Sequence, residues 1–218
     1  MATIPATRVW DVPTRLFHWL LVGLFAFSWW SGQTGHLEWH FKSGLILLGL
    51  LAFRLLWGVI GGSTARFARF VRGPGAVLAY LRGESPKVAG HNPLGGWSVI
   101  ALLGLMLLQV GTGLFSEDTD ELYSGPLNAL VNYDHARALT HIHHLAFKLL
   151  LLFSALHLAA IAFYRLRGRN LILPMVTGTD RELDPVAEPL KPAGMVRFVL
   201  AAVIAAALAW WIGKGAPH

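Results

Sequence analysis

The chain has 218 residues, of which 55% are hydrophobic and only 14% are charged, and it contains no cysteine. Without cysteine it can form no disulfide, no iron–sulfur cluster and no thioether link to a haem. The formal net charge of +6 does not indicate a nucleic-acid-binding protein. The basic residues gather at the ends of apolar segments, where membrane topology alone places them.

Five apolar segments follow one another along the chain, and each is about long enough to cross a hydrocarbon core of roughly 30 Å. The first follows Arg8 and Arg15, as in a signal peptide, but it ends at Trp29-Trp30 without a small-residue cleavage site. We therefore expect it to remain as an anchored helix. The segments cover residues 16–32, 41–61, 97–115, 142–164 and 196–212. The sequence thus predicts an all-α membrane protein with five transmembrane helices.

The charges of the loops predict the orientation, because basic loops stay on the cytoplasmic side. The loop between the second and third helices and the segment after the fourth helix are basic. They carry Arg66, Arg69, Arg72, Arg82, Lys87, Arg165, Arg167 and Arg169. The loop between the third and fourth helices is acidic and is placed in the periplasm. It carries Glu117, Asp118, Asp120, Glu121 and Asp134. We expect a membrane protein with a cytoplasmic N-terminus and, after five crossings, an external C-terminus.

Two histidines of the fourth helix, His143 and His157, are fourteen residues apart. Fourteen helical residues advance about 21 Å and turn nearly four times, so both imidazoles leave the same face at different depths. His141 and His144 lie about 160° and 140° around the helix from His157, whereas His143 lies only about 40° off. This spacing suits two stacked haems.

Two further histidines complete the pattern, since His18 lies near the cytoplasmic end of the first helix and His40 opens the second helix at the periplasmic end. Depth then pairs His18 with His157 on an inner haem iron, and His40 with His143 on an outer one. Such bis-histidine ligation leaves no open iron position and favours one-electron transfer. The alternative is that each histidine makes an interhelical hydrogen bond; two depth-matched pairs favour the haems.

Three basic residues are candidates for contacts with the haem propionates. Arg54 follows His40 by fourteen residues, which places it on nearly the same face and level with the inner haem. A guanidinium at that depth needs an anion, unless it snorkels to the cytoplasmic surface. Lys42 and Lys148 are the equivalent candidates near the outer haem.

The last part of the chain differs from the rest. Residues 168–195 contain four prolines and predict a cytoplasmic linker. Residues 196–218 contain a fifth transmembrane helix, rich in alanine and without histidine, which we expect to pack outside the haem core or against a partner. The sequence therefore predicts a di-haem transmembrane domain over residues 1–167, a linker and an additional helix.

Several motifs together resemble the bacterial cytochrome b561 family, which is similar to the b-type cytochrome subunits of nickel–iron hydrogenases. They are Arg15-Leu16-Phe17-His18-Trp19, Trp39-His40 with Gly44, Asn92-Pro93-Leu94-Gly95-Gly96-Trp97, and the His143 and His157 pair. The resemblance covers about residues 8–167. It implies a four-helix bundle with two non-covalent b haems that links the membrane quinone pool to a redox partner on the outer face.

The acidic outer loop helps to choose among the functions of such proteins. A superoxide:quinone oxidoreductase is expected to present positive charge outside to attract its anion, whereas a basic c-type cytochrome suits an acidic loop. The preferred prediction is quinol oxidation with a periplasmic c-type cytochrome as acceptor. A membrane anchor of a hydrogenase or dehydrogenase, which passes electrons inward to quinone, is the alternative. Arg15, Trp19 and Arg54 are the candidates for the quinone site, because they are polar groups near the inner haem.

A histidine-based metal transporter is an alternative from a different functional class, and some of the same histidines would fit it. Such a protein places its ligands at one depth near the midplane, often with carboxylates. The five apolar segments contain no Asp or Glu, and their histidines lie at two depths. The sequence therefore favours the cytochrome.

Overall fold

The computed structural model describes residues 7–84, 89–117, 123–181, 183 and 190–215. The described chain is mainly helical, and all five apolar segments form helices. Its elements are β1 (Thr7–Arg8), α1 (Val12–Gln33), α2 (Leu37–Ile60), α3 (Phe67–Phe70), α4 (Pro74–Leu81), α5 (Pro93–Gly113), a 3-10 helix (Asn128–Leu130), α6 (Tyr133–Leu166), α7 (Ile172–Thr177), β2 (Thr179–Asp180) and α8 (Met195–Gly213). Four charged residues used in the topology prediction lie outside the described residues: Lys87, Asp118, Asp120 and Glu121.

Four of the described helices are long and apolar enough to cross a membrane: α2, α5, α6 and α8. The helix α1 has 22 residues but is not among them, because Arg15, His18, two serines and three tryptophans lower its hydropathy. The predicted C-terminal apolar helix is therefore present as α8, whereas a membrane crossing by α1 stays a prediction.

Side-chain and glycine signals set the helix ends. The Asp11 carboxylate accepts a hydrogen bond from the Thr14 N–H at 2.9 Å, which caps the start of α1. Asn92 accepts from the Gly95 N–H at 2.6 Å, and Pro93 is the first residue of α5. The turn between α1 and α2 contains Gly35 with a φ of 74°, a left-handed conformation that glycine adopts without strain.

The chain divides into two compact units, and the first comprises residues 1–17, 54–101 and 154–200. A two-stranded antiparallel sheet pairs Thr7 with Asp180 and Arg8 with Thr179. Beside it, Val9, Trp10 and Leu183 form a small buried cluster. The Thr64 hydroxyl donates to the Val9 carbonyl at 2.6 Å. These contacts tie the start of the chain to the segment that follows α2.

A polar cluster in the same unit joins three elements. The Tyr80 and Tyr164 hydroxyls are 2.5 Å apart, and the Asn92 amide donates to them at 2.8 and 3.3 Å respectively. Burial and the hydrogen bond to Tyr164 raise the pKa of Tyr80 to about 12, so the Tyr80 phenol stays protonated at neutral pH. The cluster fixes α4 against the start of α5 and the end of α6.

The second unit comprises residues 18–53, 102–153 and 201–218. Its buried apolar side chains include Leu47 and Leu51 of α2, and Ala146 and Leu150 of α6. The helices α8 and α2 approach closely at small residues. A Cβ built on Gly49 of α2 would lie 3.4 Å from the Ala209 Cβ of α8, which is ordinary van der Waals contact. Close approach of this kind is common between membrane helices.

Candidate functional site

The second unit brings His40 of α2 and His143 of α6 together. Their ring centres are 6.1 Å apart, and the ring planes are nearly perpendicular, at 87°. Two imidazoles that bind one metal ion from opposite sides, at about 2 Å each, hold their ring centres about 6 Å apart. The separation therefore fits two axial ligands of a single metal.

Both imidazoles are held in the same tautomer by backbone carbonyls. His40 Nδ1 lies 2.8 Å from the Ser28 carbonyl oxygen of α1, and His143 Nδ1 lies 2.8 Å from the Gln109 carbonyl oxygen of α5. A carbonyl accepts hydrogen bonds only, so each Nδ1 must carry the hydrogen and each neutral ring keeps a lone pair on Nε2. Metal-binding histidines in proteins commonly donate the N–H of the other ring nitrogen to a carbonyl in this way, which fixes the orientation of the ring.

The two rings line one cleft, which is partly open to the outside. Large apolar side chains form most of its wall. They include Phe25, Trp29, Phe41, Met106, Val110 and Phe147. An apolar cleft with two opposed imidazoles suits a flat hydrophobic metal complex.

Gln109 contacts His143 a second time through its side chain. The Gln109 amide nitrogen lies 2.9 Å from His143 Nε2, so it donates to the lone pair that the carbonyl contact leaves there. A metal ion bound at His143 Nε2 would replace this hydrogen bond. The interaction agrees with the tautomer inferred from Nδ1.

The chemistry of the donor set selects the type of metal group. Within the described ranges, no cluster of three or more His, Asp or Glu side chains is arranged to hold a metal ion. A haem brings four equatorial nitrogens of its own and needs only axial ligands from the protein. Two imidazoles in an apolar cleft fit that requirement.

A family model described as prokaryotic cytochrome b561 matches residues 9–178. The chain belongs to the prokaryotic cytochrome b561 family. No curated protein and no solved structure matches the chain. The match confirms the predicted family and extends past residue 167 to include α7.

As a prokaryotic cytochrome b561, the chain is an integral membrane b-type cytochrome that acts in electron transfer. Its family binds haem b, and the chain has no cysteine to attach one covalently. His40 and His143 are the residues that fit this group.

The exposure pattern of α6 agrees with the predicted helix phase. Its least exposed positions recur every three or four residues and include Ala136, Ala146 and Leu150. His143 and His157 are half-buried on the same side, whereas His141 and His144 are exposed. His18 of α1 is also half-buried and has the ring of Trp19 at its edge, 4.9 Å between ring centres.

The basic candidates differ in their surroundings. Arg54 is buried and donates to the Ala65 carbonyl at 3.2 Å. Lys42 forms an exposed ion pair with Glu38 at 2.5 Å, and Lys148 is exposed on α6. Arg15 donates to the Val176 carbonyl at 2.5 Å. Only Arg54 is withdrawn from the surface, and its contact with a propionate stays a prediction, as do those of the lysines.

Sequence reasoning missed Ser28 and Gln109, the residues that hold the two histidines. Their carbonyls do this, and since every residue has a carbonyl, the residue type carries no signal for the role. The glycines Gly32 and Gly113 lie one helical turn further on, and nothing in the sequence links Gly32 to His40 or Gly113 to His143.

Proposed function

We propose that the chain carries electrons between the membrane quinone pool and a periplasmic redox partner through two b haems. His40 and His143 are proposed to hold the outer haem, and His18 and His157 the inner one. The single observation that supports this most is the opposed pair of imidazoles, with Nδ1 of each ring donating to a carbonyl. When bound, haem supplies one-electron redox chemistry.

The proposed task of the protein residues is to hold and insulate that group. The Ser28 and Gln109 carbonyls hold Nδ1 of His40 and His143, which leaves Nε2 of each ring as the nitrogen that would bind the iron. Because two imidazoles would complete the iron coordination, dioxygen would find no open position. Phe25, Trp29 and Phe147 give the cleft an apolar wall, which would lower the access of water to a bound haem.

Charge supports quinol oxidation with a c-type cytochrome as the acceptor. Residues 117–121 contain four acidic side chains in a loop that we place in the periplasm. A basic patch around the haem edge of a soluble cytochrome is electrostatically complementary to it. We place quinol at the cytoplasmic end, near Arg15, Trp19 and Arg54. Inward electron flow, from a hydrogenase or dehydrogenase to quinone, is the second candidate.

The first prediction concerns haem content. The purified protein is expected to carry two low-spin b haems per chain, both extractable by acid acetone because no thioether holds them. His157→Ala and His18→Ala are each expected to leave one haem, since their predicted depth in the membrane assigns both residues to the inner site. A pyridine haemochrome assay with protein quantification measures this. One haem in the unaltered protein, or a high-spin spectrum, would contradict the proposal.

The second prediction concerns the partner. A short-chain quinol is expected to reduce the haems, and a basic c-type cytochrome to reoxidise them at a rate that falls as salt rises. Neutralising the loop by Glu117→Gln, Asp120→Asn and Glu121→Gln together is expected to lower that rate several-fold at low salt. Glu84→Gln, on the predicted cytoplasmic side, is the matched control. If quinol did not reduce the haems, but the reduced haems passed electrons to quinone, the result would favour inward electron flow.

A further inference from the structure

Two five-residue helix ends in the second unit have the same design. One is Ser28–Gly32 at the end of α1, and the other is Gln109–Gly113 at the end of α5. In each, the carbonyl of the first residue accepts the Nδ1–H of one histidine, and the last residue is glycine. The two segments are far apart in the chain and serve different histidines.

The fourth residue of each segment adds a second donor to the same carbonyl. The Ser31 hydroxyl donates to the Ser28 carbonyl at 3.1 Å. The Thr112 hydroxyl shares its one hydrogen between the Leu108 carbonyl at 2.7 Å and the Gln109 carbonyl at 3.1 Å. Ser31 and Thr112 are both buried. A carbonyl has two lone pairs, so each hydroxyl competes with an imidazole for electron density on its oxygen.

The glycine of each segment makes room for the ring. In an α-helix the carbonyl of residue i lies against residue i+4, so an imidazole that reaches the carbonyl must pass that residue. A Cβ on Gly32 would lie 3.0 Å from His40 Nδ1, and one on Gly113 would lie 3.0 Å from His143 Cε1. A side chain at either position would force the ring to turn or withdraw.

We propose that these segments are a duplicated imidazole clamp, in which Gly32 and Gly113 set the planes of the His40 and His143 rings while Ser31 and Thr112 tune the strength of the Nδ1 hydrogen bonds. All four are positioning residues, since they act through the histidines. The inference rests on the proposed outer haem. It adds that the near-perpendicular ring planes, at 87°, are imposed by the protein.

The angle between two axial imidazole planes controls how the d orbitals of a low-spin ferric iron split. Perpendicular planes give a highly anisotropic EPR signal with a dominant low-field feature, whereas parallel planes give a rhombic signal. The clamp therefore predicts a highly anisotropic signal for the outer haem of the oxidised protein. His143→Ala identifies that signal, because it removes the outer haem.

Gly32→Ala and Gly113→Ala test the clamp in the full-length purified protein. Each is expected to shift the outer signal toward the rhombic form or to abolish it, while the inner signal is unchanged. Gly23→Ala and Gly111→Ala are matched controls on the same two helices, because a Cβ at either position meets nothing within 4 Å. Controls that change the outer signal as much as the clamp variants, or clamp variants that leave it unchanged, would overturn the inference.

Variants that remove a hydroxyl provide a second test, because these substitutions do not enlarge a side chain in the helix. Thr112→Val and Ser31→Ala free the carbonyl to bind Nδ1–H more strongly, which makes the imidazole a stronger electron donor. The midpoint potential of the outer haem is expected to fall in both variants. Thr112→Ser, which keeps a hydroxyl, is expected to have the midpoint potential of the unaltered protein. Unchanged potentials would overturn the tuning role. An unaltered protein that lacks the outer haem would instead refute the proposed function itself.

Discussion

Alanine at position 143 is expected to remove the outer haem completely, so that the haem content falls from two to one per chain. His40→Ala is expected to produce the same loss, because the two ring centres are 6.1 Å apart and one imidazole alone would not complete the iron coordination. Difference spectra of the reduced protein, together with haem quantification, measure both losses.

His144→Ala is the matched control for this loss. Its ring lies 6.1 Å from that of His143, yet His144 is exposed on the other side of α6. We expect His144→Ala to keep both haems low-spin. If His144→Ala abolished the outer haem and His143→Ala spared it, the assignment of the ligand face on α6 would be wrong.

Arg54→Leu is expected to destabilise the fold, because Arg54 is only 3% exposed to solvent and its guanidinium interacts with several groups around it. It donates to the Ala65 carbonyl at 3.2 Å, its guanidinium lies 4.8 Å from the centre of the Phe67 ring, and the charge of Asp11 acts on it. Loss of a hydrogen bond from a charged donor costs about 1.5–3 kcal/mol. For a chain of this size that lowers the melting temperature by roughly 3–12 °C.

The same variant separates the two roles considered for Arg54. Thermal unfolding in detergent and a redox titration are measured on Arg54→Leu and on Arg54→Lys, which keeps the charge but loses the planar guanidinium. A lower melting temperature with unchanged haem potentials assigns Arg54 to the fold. An unchanged melting temperature with a shifted inner-haem potential assigns it to a propionate.

The helices were largely predictable, because runs of apolar residues are a strong signal and caps such as Asp11 and Asn92 are residue types that favour helix starts. The start of α6 was predicted too late, at residue 142 instead of Tyr133. Residues 133–141 are mostly polar. A search for apolar segments therefore misses the part of the helix that continues beyond the membrane core. The short helices α3 and α4 lie in the loop that was predicted only to be basic and cytoplasmic, since their positions depend on tertiary contacts such as that of Tyr80 with Tyr164.

The candidate site was predictable where it depends on helix phase. The rule of 3.6 residues per turn separates His143 from His144, and the exposure of the two side chains follows that separation. The clamp was not predictable, because the pairing of Ser28 with His40 and of Gln109 with His143 depends on which helices become neighbours. The glycine contacts similarly need distances that no spacing along the sequence supplies.

The pairing of β1 with β2 has a consequence for the order of biosynthesis. Thr7 is made before α1, but its partner Asp180 is made only after α7. The contact between Tyr80 and Tyr164 likewise spans 84 residues. Because domains fold as their chain is made, the first unit cannot close until α6 has been inserted, and a chain arrested before residue 164 would expose its N-terminal segment to proteases.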